Sequence, residues 1–273
     1  MKIAAAPAKI NLALVVGPRR DDGLHRVATV LQPIDLCDSI GLEPAGGLAV
    51  QGFADDTLVR AALERLGEAA GVAPAWRVVI QKRIPVAAGL GGGSSDAATA
   101  LRLANETLAR PLRPDELAAL AAEVGADVPS FLAGGPSLAE GAGEDLTPLE
   151  LPREFFVVVA LAGGAAKPST GAVYRRFDEL GGGDGYAGRR ERLLAALART
   201  RHARDLAELP ENDLAAAAGR SDLVDRLRQL GAFRADVSGA GPAVYGLFER
   251  ADEARAAASG CGAEQAWAVS PLW

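Results

Sequence analysis

A chain of 273 residues, 49% hydrophobic and 23% charged, has ordinary globular composition and is long enough for one large domain or two modest ones. Its 29 Lys and Arg against 35 Asp and Glu give a net charge of −6, which excludes the overall basic footprint of a nucleic-acid binder. Two cysteines, Cys37 and Cys261, and two histidines, His25 and His202, speak against a four-ligand zinc site or a disulfide framework, and reduced thiols are expected.

Met1-Lys2 and the apolar residues after it could start a signal peptide, but Lys9 and Asn11 interrupt the apolar stretch. Ile10, Leu12, Leu14 and Val16 share one parity, which predicts a strand. Leu58, Ala62, Leu66, Ala69 and Ala70 recur at helical spacing, and Val78 and Ile80 place a strand over 76–81. That strand runs through Ile84-Pro85 into a glycine-rich loop. A helix over 95–108 follows, with Ala97, Leu101, Ala104 and Leu108 on one face. Pro114 and Asp115 open another helix through Val124.

Thr147-Pro148 and Leu151-Pro152 mark a boundary, so two domains are expected, 1–152 and 153–273. Residues 155–161 read as a buried strand. The uncharged run they begin, 155–166, is too short to span a bilayer, and a soluble cytoplasmic protein without membrane contact is expected. The glycines of 181–188 predict a mobile loop. A helix over 222–230, a strand pair around 238–241 and a helix and strand over 251–267 complete an α+β chain.

The richest segment is Pro85-Val86-Ala87-Ala88-Gly89-Leu90-Gly91-Gly92-Gly93-Ser94-Ser95-Asp96. Between a strand and a helix, glycines let backbone N–H groups approach a ligand, and the helix start offers an anion site. Ser94 and Ser95 can cap that helix, contact a phosphate or help hold Mg²⁺; no metal site made by protein groups alone is expected. No lysine ends the loop as a Walker A sequence requires, and Ser94 stands where a dinucleotide-binding loop has its last glycine.

Together with Ala6-Pro7-Ala8-Lys9-Ile10-Asn11-Leu12 and Ser238-Gly239-Ala240-Gly241-Pro242-Ala243-Val244, this loop resembles the three motifs of the GHMP kinases, in family order. The resemblance implies a two-domain α+β fold, with a left-handed βαβ unit in the N-terminal domain and a ferredoxin-like C-terminal domain. It also implies an active site in the cleft between them. Further segments are similar to the branch acting on 4-diphosphocytidyl-2-C-methyl-D-erythritol: Arg20-Asp21-Asp22-Gly23-Leu24-His25, Gly125-Ala126-Asp127-Val128-Pro129-Ser130-Phe131, Gly141-Ala142-Gly143-Glu144 and Glu211-Asn212-Asp213-Leu214. The implied reaction is Mg²⁺·ATP phosphorylating the 2-hydroxyl of that small molecule. The alternatives are another kinase of the family, of mevalonate or homoserine type, and a non-catalytic metabolite sensor. Monomer or weak homodimer is expected.

By the resemblance, Lys9 polarises the transferred phosphate, Asp127 is the catalytic base, and Val86 to Asp96 hold ATP. On its own sequence context, Asp127 reads equally as a helix N-cap. Asn11 and Thr170 are expected to contact the erythritol and diphosphate, and His25 and Tyr174 the cytosine. Leu24 stands where the family has a tyrosine. Asn212-Asp213 is expected to fix a helix start, Gly239 and Gly241 to shape a turn toward the phosphate loop, and His202 to lie at the surface.

Overall fold

The computed structural model describes residues 1–162, 169–219 and 221–273. In chain order the elements begin with β1 (Lys2–Arg19), β2 (His25–Pro44), β3 (Ala49–Gln51), α1 (Leu58–Ala70), β4 (Trp76–Gln81) and α2 (Gly92–Asn105). Then come α3 (Pro114–Val124), α4 (Val128–Ala133), β5 (Ser137–Gly141), β6 (Asp145–Pro148), β7 (Phe156–Leu161), α5 (Thr170–Glu179) and α6 (Tyr186–Arg199). The last are α7 (Ala215–Ala218), α8 (Asp222–Gln229), β8 (Arg234–Val237), β9 (Val244–Phe248), α9 (Ala251–Gly260) and β10 (Gln265–Val269). The end of the apolar run, 163–166, lies outside the described residues, as does Lys167. Among the described residues no helix is long and apolar enough to cross a membrane.

The chain forms two compact units, each assembled from several segments. The first comprises Met1–Ala8, Leu36–Ala87 and Gly91–Gly134; the second comprises Lys9–Asp35, Ala88–Leu90 and Gly135–Trp273.

In the first unit, β4 buries Trp76, Val78 and Ile80 and exposes Arg77 and Gln81, the alternation of a strand with one face on a core. It pairs antiparallel with Ser39 to Pro44 of β2 and parallel with β3. Because β3 and β4 are parallel, a crossover must join them, and α1 is that crossover. Leu63 and Leu66 of α1, Ala97 and Leu101 of α2 and Leu117 of α3 share one core with Ile40, Leu42, Val78 and Ile80.

In the second unit, β1 and β2 are joined by a turn in which Arg20 N–H donates to Leu24 O (2.7 Å) and Gly23 N–H to Arg20 O (3.0 Å). From Lys9 to Val16 both faces of β1 are buried, more than the one-parity pattern predicts. The strand is covered on both sides, so small and polar residues alternate there with aliphatic ones. β5 pairs with Val27 to Leu31 of β2, and β6 with β5. A second sheet runs β10-β7-β9-β8, all antiparallel. Helices join β7 to β8 and β9 to β10, which is the ferredoxin-like arrangement. Leu223 and Leu227 of α8 and Ala254 and Ala257 of α9 pack with Val158, Val244 and Phe248 of this sheet.

Residues 181–188 are not a loop throughout. The chain turns tightly over 181–185 and α6 is under way by Tyr186. The helix expected at 95–108 begins earlier, at Gly92, because Gly91 takes a left-handed conformation (φ 72°) as its N-cap. It ends at Asn105, whose side-chain Oδ1 accepts from Leu112 N–H (2.8 Å) and whose Nδ2 donates to Leu112 O (3.0 Å).

Candidate active site

Lys9 and Asn11 are two residues apart on β1 and therefore project to the same side of the strand. Lys9 is 5% exposed, and its Nζ donates to Asn11 Oδ1 at 2.7 Å. Asn11 Nδ2 donates in turn to Thr29 Oγ1 (2.8 Å), and Lys9 N–H donates to Leu90 O (2.9 Å). The first motif is thus hydrogen-bonded to the glycine loop.

That loop has positive φ at Ala87 (56°), Gly89 (84°) and Gly91 (72°). At Gly89 the requirement is absolute: a Cβ there would lie 2.3 Å from Ser238 O. Gly89→Ala is expected to destabilise the fold by about 1–3 kcal/mol, read as a lowered thermal midpoint. Neither Ser94 nor Ser95 caps α2, whose N-cap is Gly91; both serines lie in its first turn. Among the described residues, Ser95 Oγ and Asp96 Oδ1 are buried with no hydrogen-bond partner. Buried polar atoms rarely stay unpaired. Their presence beside the free N–H groups of a helix start fits a site for a phosphate and its Mg²⁺.

The same turn carries a charge cluster. Lys82 Nζ, just before the loop, donates to Asp38 Oδ2 and to Asp96 Oδ2 (2.8 Å) and lies 5.7 Å from the Phe53 ring centroid. Asp38 Oδ1 accepts from the backbone of Arg83 (2.5 Å) and Ile84 (2.8 Å), which fixes the chain where it enters the loop. Burial chiefly, with the neighbouring Asp38 charge, pushes the Asp96 carboxyl up to about 7, against the pull of the Lys82 ammonium. Sequence reasoning missed Asp38 and Lys82. The signal was there in part: Lys82 is one of four lysines in the chain and stands three residues before Pro85.

The third motif is the connection between β8 and β9. Ser238 Oγ donates to Gly89 O (3.1 Å), and Ala243 N–H donates to Ala88 O (3.0 Å). Gly239 comes so close to the first two motifs that a Cβ on it would be 3.2 Å from Gly89 O and 3.3 Å from Asn11 Oδ1. Asn212 gives α7 no side-chain cap and instead holds the third motif. Its Nδ2 donates to Gly239 O (2.7 Å) and Val237 O (3.0 Å), while its Oδ1 accepts from Leu214 N–H (2.9 Å). Asp213 Oδ2 accepts from Val16 N–H (2.8 Å) and Arg189 Nε (3.1 Å).

A second cluster lies where β2 starts. His25 Nε2 and Asp178 Oδ1 are 2.7 Å apart, and the imidazole is 4.9 Å from the Tyr174 ring, tilted by 34°. Val27, Val173 and Phe177 form the core beneath it. Leu24 is 54% exposed. Thr170, the exposed first residue of α5, is four residues before Tyr174 and so on the same helical face. Asp178 was invisible to sequence reasoning.

Asp127 belongs to the first unit. It occupies the N-cap position of α4, as its sequence context predicts, yet its carboxylate makes no capping bond; its backbone oxygen accepts from Ser130 Oγ (2.7 Å). His202 is exposed, as expected.

Residues 57–135 match the GHMP kinases N terminal domain, and residues 221–265 match the GHMP kinases C terminal. The chain is 42% identical to the 4-diphosphocytidyl-2-C-methyl-D-erythritol kinase of Nocardia farcinica (strain IFM 10152), across 94% of this chain and 88% of that protein. The chain belongs to the GHMP kinase family. It is also 40% identical to the enzyme of the same name from Deinococcus radiodurans, over 93% and 86% of the two chains. A crystal structure of 4-(cytidine 5'-diphospho)-2C-methyl-D-erythritol kinase superposes with a TM-score of 0.81 at 36% identity, covering 100% of both chains. Homoserine kinase from Cytophaga hutchinsonii, at 16% identity and a TM-score of 0.74, shares the fold over 99% of this chain and 94% of its own. The two-domain α+β architecture is therefore that of the GHMP kinases.

Proposed function

We propose that this protein transfers the terminal phosphoryl group of ATP to the 2-hydroxyl of 4-diphosphocytidyl-2-C-methyl-D-erythritol. The observation that carries this reading is the meeting of residues from all three motifs in one compact unit, through Lys9 with Leu90, Ser238 with Gly89 and Gly239 beside Asn11. The acceptor is taken from the name of the full-length relatives.

In this reading Val86, Ala87, Ala88, Gly89, Leu90, Gly91, Gly92, Gly93, Ser94, Ser95 and Asp96 hold the triphosphate through backbone N–H groups. Ser94 or Ser95 would hold the Mg²⁺ that accompanies ATP, and that ion supplies charge neutralisation on the phosphates. Phosphoryl transfer asks chiefly for in-line positioning and charge stabilisation. The Lys9 ammonium supplies positive charge to the transferred group, and the Asp127 carboxylate accepts the proton of the acceptor hydroxyl. Asn11 and Thr170 hold the erythritol and diphosphate. His25 and Tyr174 take the cytosine, with Leu24 covering it less than a tyrosine would. The family's two domains are proposed as 1–152 and 153–273, the protein as a cytoplasmic monomer or weak homodimer.

The test is ATP consumption in parallel with the cytidyl substrate, mevalonate, phosphomevalonate and homoserine. Turnover with the cytidyl substrate alone is expected. The exposed Leu24 favours one second reading, a non-nucleotide alcohol as acceptor, and turnover confined to such an alcohol would replace the first reading by the second.

A further inference from the structure

We infer that Thr29 is a positioning residue for phosphoryl transfer, aiming the Lys9 ammonium through the side-chain amide of Asn11. The inference rests on the reading above that Lys9 acts on the transferred phosphate, and it follows from hydrogen-bond direction.

An ammonium can only donate, so the Asn11 atom 2.7 Å from Lys9 Nζ must be the oxygen. The amide nitrogen then points away and needs an acceptor. Thr29 Oγ1, at 2.8 Å, is that acceptor. A hydroxyl has one proton, and Thr29 spends its own on Ala13 O at 2.7 Å, leaving a lone pair turned to Asn11 Nδ2. The direction of every bond from Ala13 to Lys9 is therefore set. Flipping the Asn11 amide would put NH₂ against an ammonium, donor against donor.

Water does not replace the relay. Lys9, Asn11 and Thr29 are 5%, 4% and 5% exposed. All belong to the β1–β2 hairpin, so the relay spans two strands of one element. Without the Thr29 hydroxyl the amide nitrogen has no acceptor at this position, and Asn11 is held there only by the ammonium it has to aim. The cost falls on how often the ammonium is correctly aimed, hence on turnover.

The experiment compares Thr29→Val, which keeps the shape and removes the hydroxyl, with Thr29→Ser, which keeps the hydroxyl. Each is made alone and with Lys9→Met, and kcat, the KM of both substrates and the thermal midpoint are measured. Thr29→Val is expected to lower kcat at least about tenfold with both KM values within about threefold, and Thr29→Ser to stay within about threefold of the parent. In the Lys9→Met background Thr29→Val should cause no further loss, since the group it aims is gone. The inference is overturned by a Thr29→Val enzyme that turns over within about threefold of the parent. An equal loss with and without Lys9, or a serine variant as impaired as the valine one, overturns it too. If Thr29→Val does not fold, Thr29→Ala takes its place; failure of both to fold while Thr29→Ser folds makes the position structural and ends the proposal. Unchanged turnover in Lys9→Met alone would instead remove the catalytic reading of Lys9.

Discussion

Asp127→Asn is expected to lower kcat at least about a hundredfold while moving the thermal midpoint by no more than about 2 °C. The substitution preserves size and removes the capacity to accept a proton at neutral pH. An aspartate before a short helix usually stabilises it by capping, and its loss would then appear as lost stability. Here the Asp127 carboxylate makes no capping bond, so a lost helix cap is not what the substitution brings. Activity and stability are thereby separated at this position. Steady-state kinetics beside differential scanning calorimetry provide the check, and an enzyme that keeps its turnover but melts several degrees lower would turn Asp127 back into a structural residue.

Lys82→Met should produce the largest loss of stability, about 3–5 kcal/mol, because it leaves two buried carboxylates facing one another without their shared cation. Asp38 and Asp96 side chains are 0% and 2% exposed, so solvent cannot take over that role. Denaturant unfolding of the purified variant measures the effect; a loss under about 1 kcal/mol would show the lysine to be dispensable to the cluster. The same cluster predicts a pH dependence. With its carboxyl held up at about 7, folded Asp96 retains a proton that the unfolded chain has already shed. Between the unfolded value near 4 and the folded value near 7 the native state binds more protons, so this group's contribution to stability falls as pH rises through that window and levels off above it. Asp96→Asn should remove that slope: the stability of the parent relative to the variant is expected to decline between about pH 5 and pH 8. A constant difference across that range would contradict the raised carboxyl.

Much of this was legible from residue order alone, for identifiable reasons. The strand over 76–81 and the helix from Pro114 to Val124 agree with β4 and α3 because local periodicity and a proline at the first turn carry both. Two of the three motifs were legible because backbone turns at Gly89, Gly91, Gly239 and Gly241 demand glycine, and the first because Lys9 and Asn11 interrupt an apolar strand. What escaped depends on partners far along the chain. Glycines at 181–188 suggested mobility, yet a Cβ on Gly182 would lie 2.2 Å from the Phe177 ring and one on Gly183 3.3 Å from Pro18. A glycine that lets something pack closely and a glycine that loosens the backbone look alike in a sequence. The partners of Lys82 and Asn11 escaped for a related reason. Asp38 lies 44 residues from Lys82, and Thr29 lies 18 from Asn11, and no short-range pattern links either pair.

The division of the chain also governs the order in which it can fold as it leaves the ribosome. Nothing beyond Gly134 contributes to the first unit. The second begins at Lys9, but its early hairpin waits: Leu14 O and Val16 N–H bond to Asp213, Leu12 O to Tyr245 Oη, and Pro33 O to Leu272 N–H. Sequence separations of this size make closure entropically slow. During synthesis the strand that bears Lys9 emerges well before the residues, from Asp213 onward, that complete its hydrogen bonds. A nascent chain stalled before residue 213 should therefore expose apolar residues such as Leu12, Leu14 and Val16, a natural place for a chaperone to hold it.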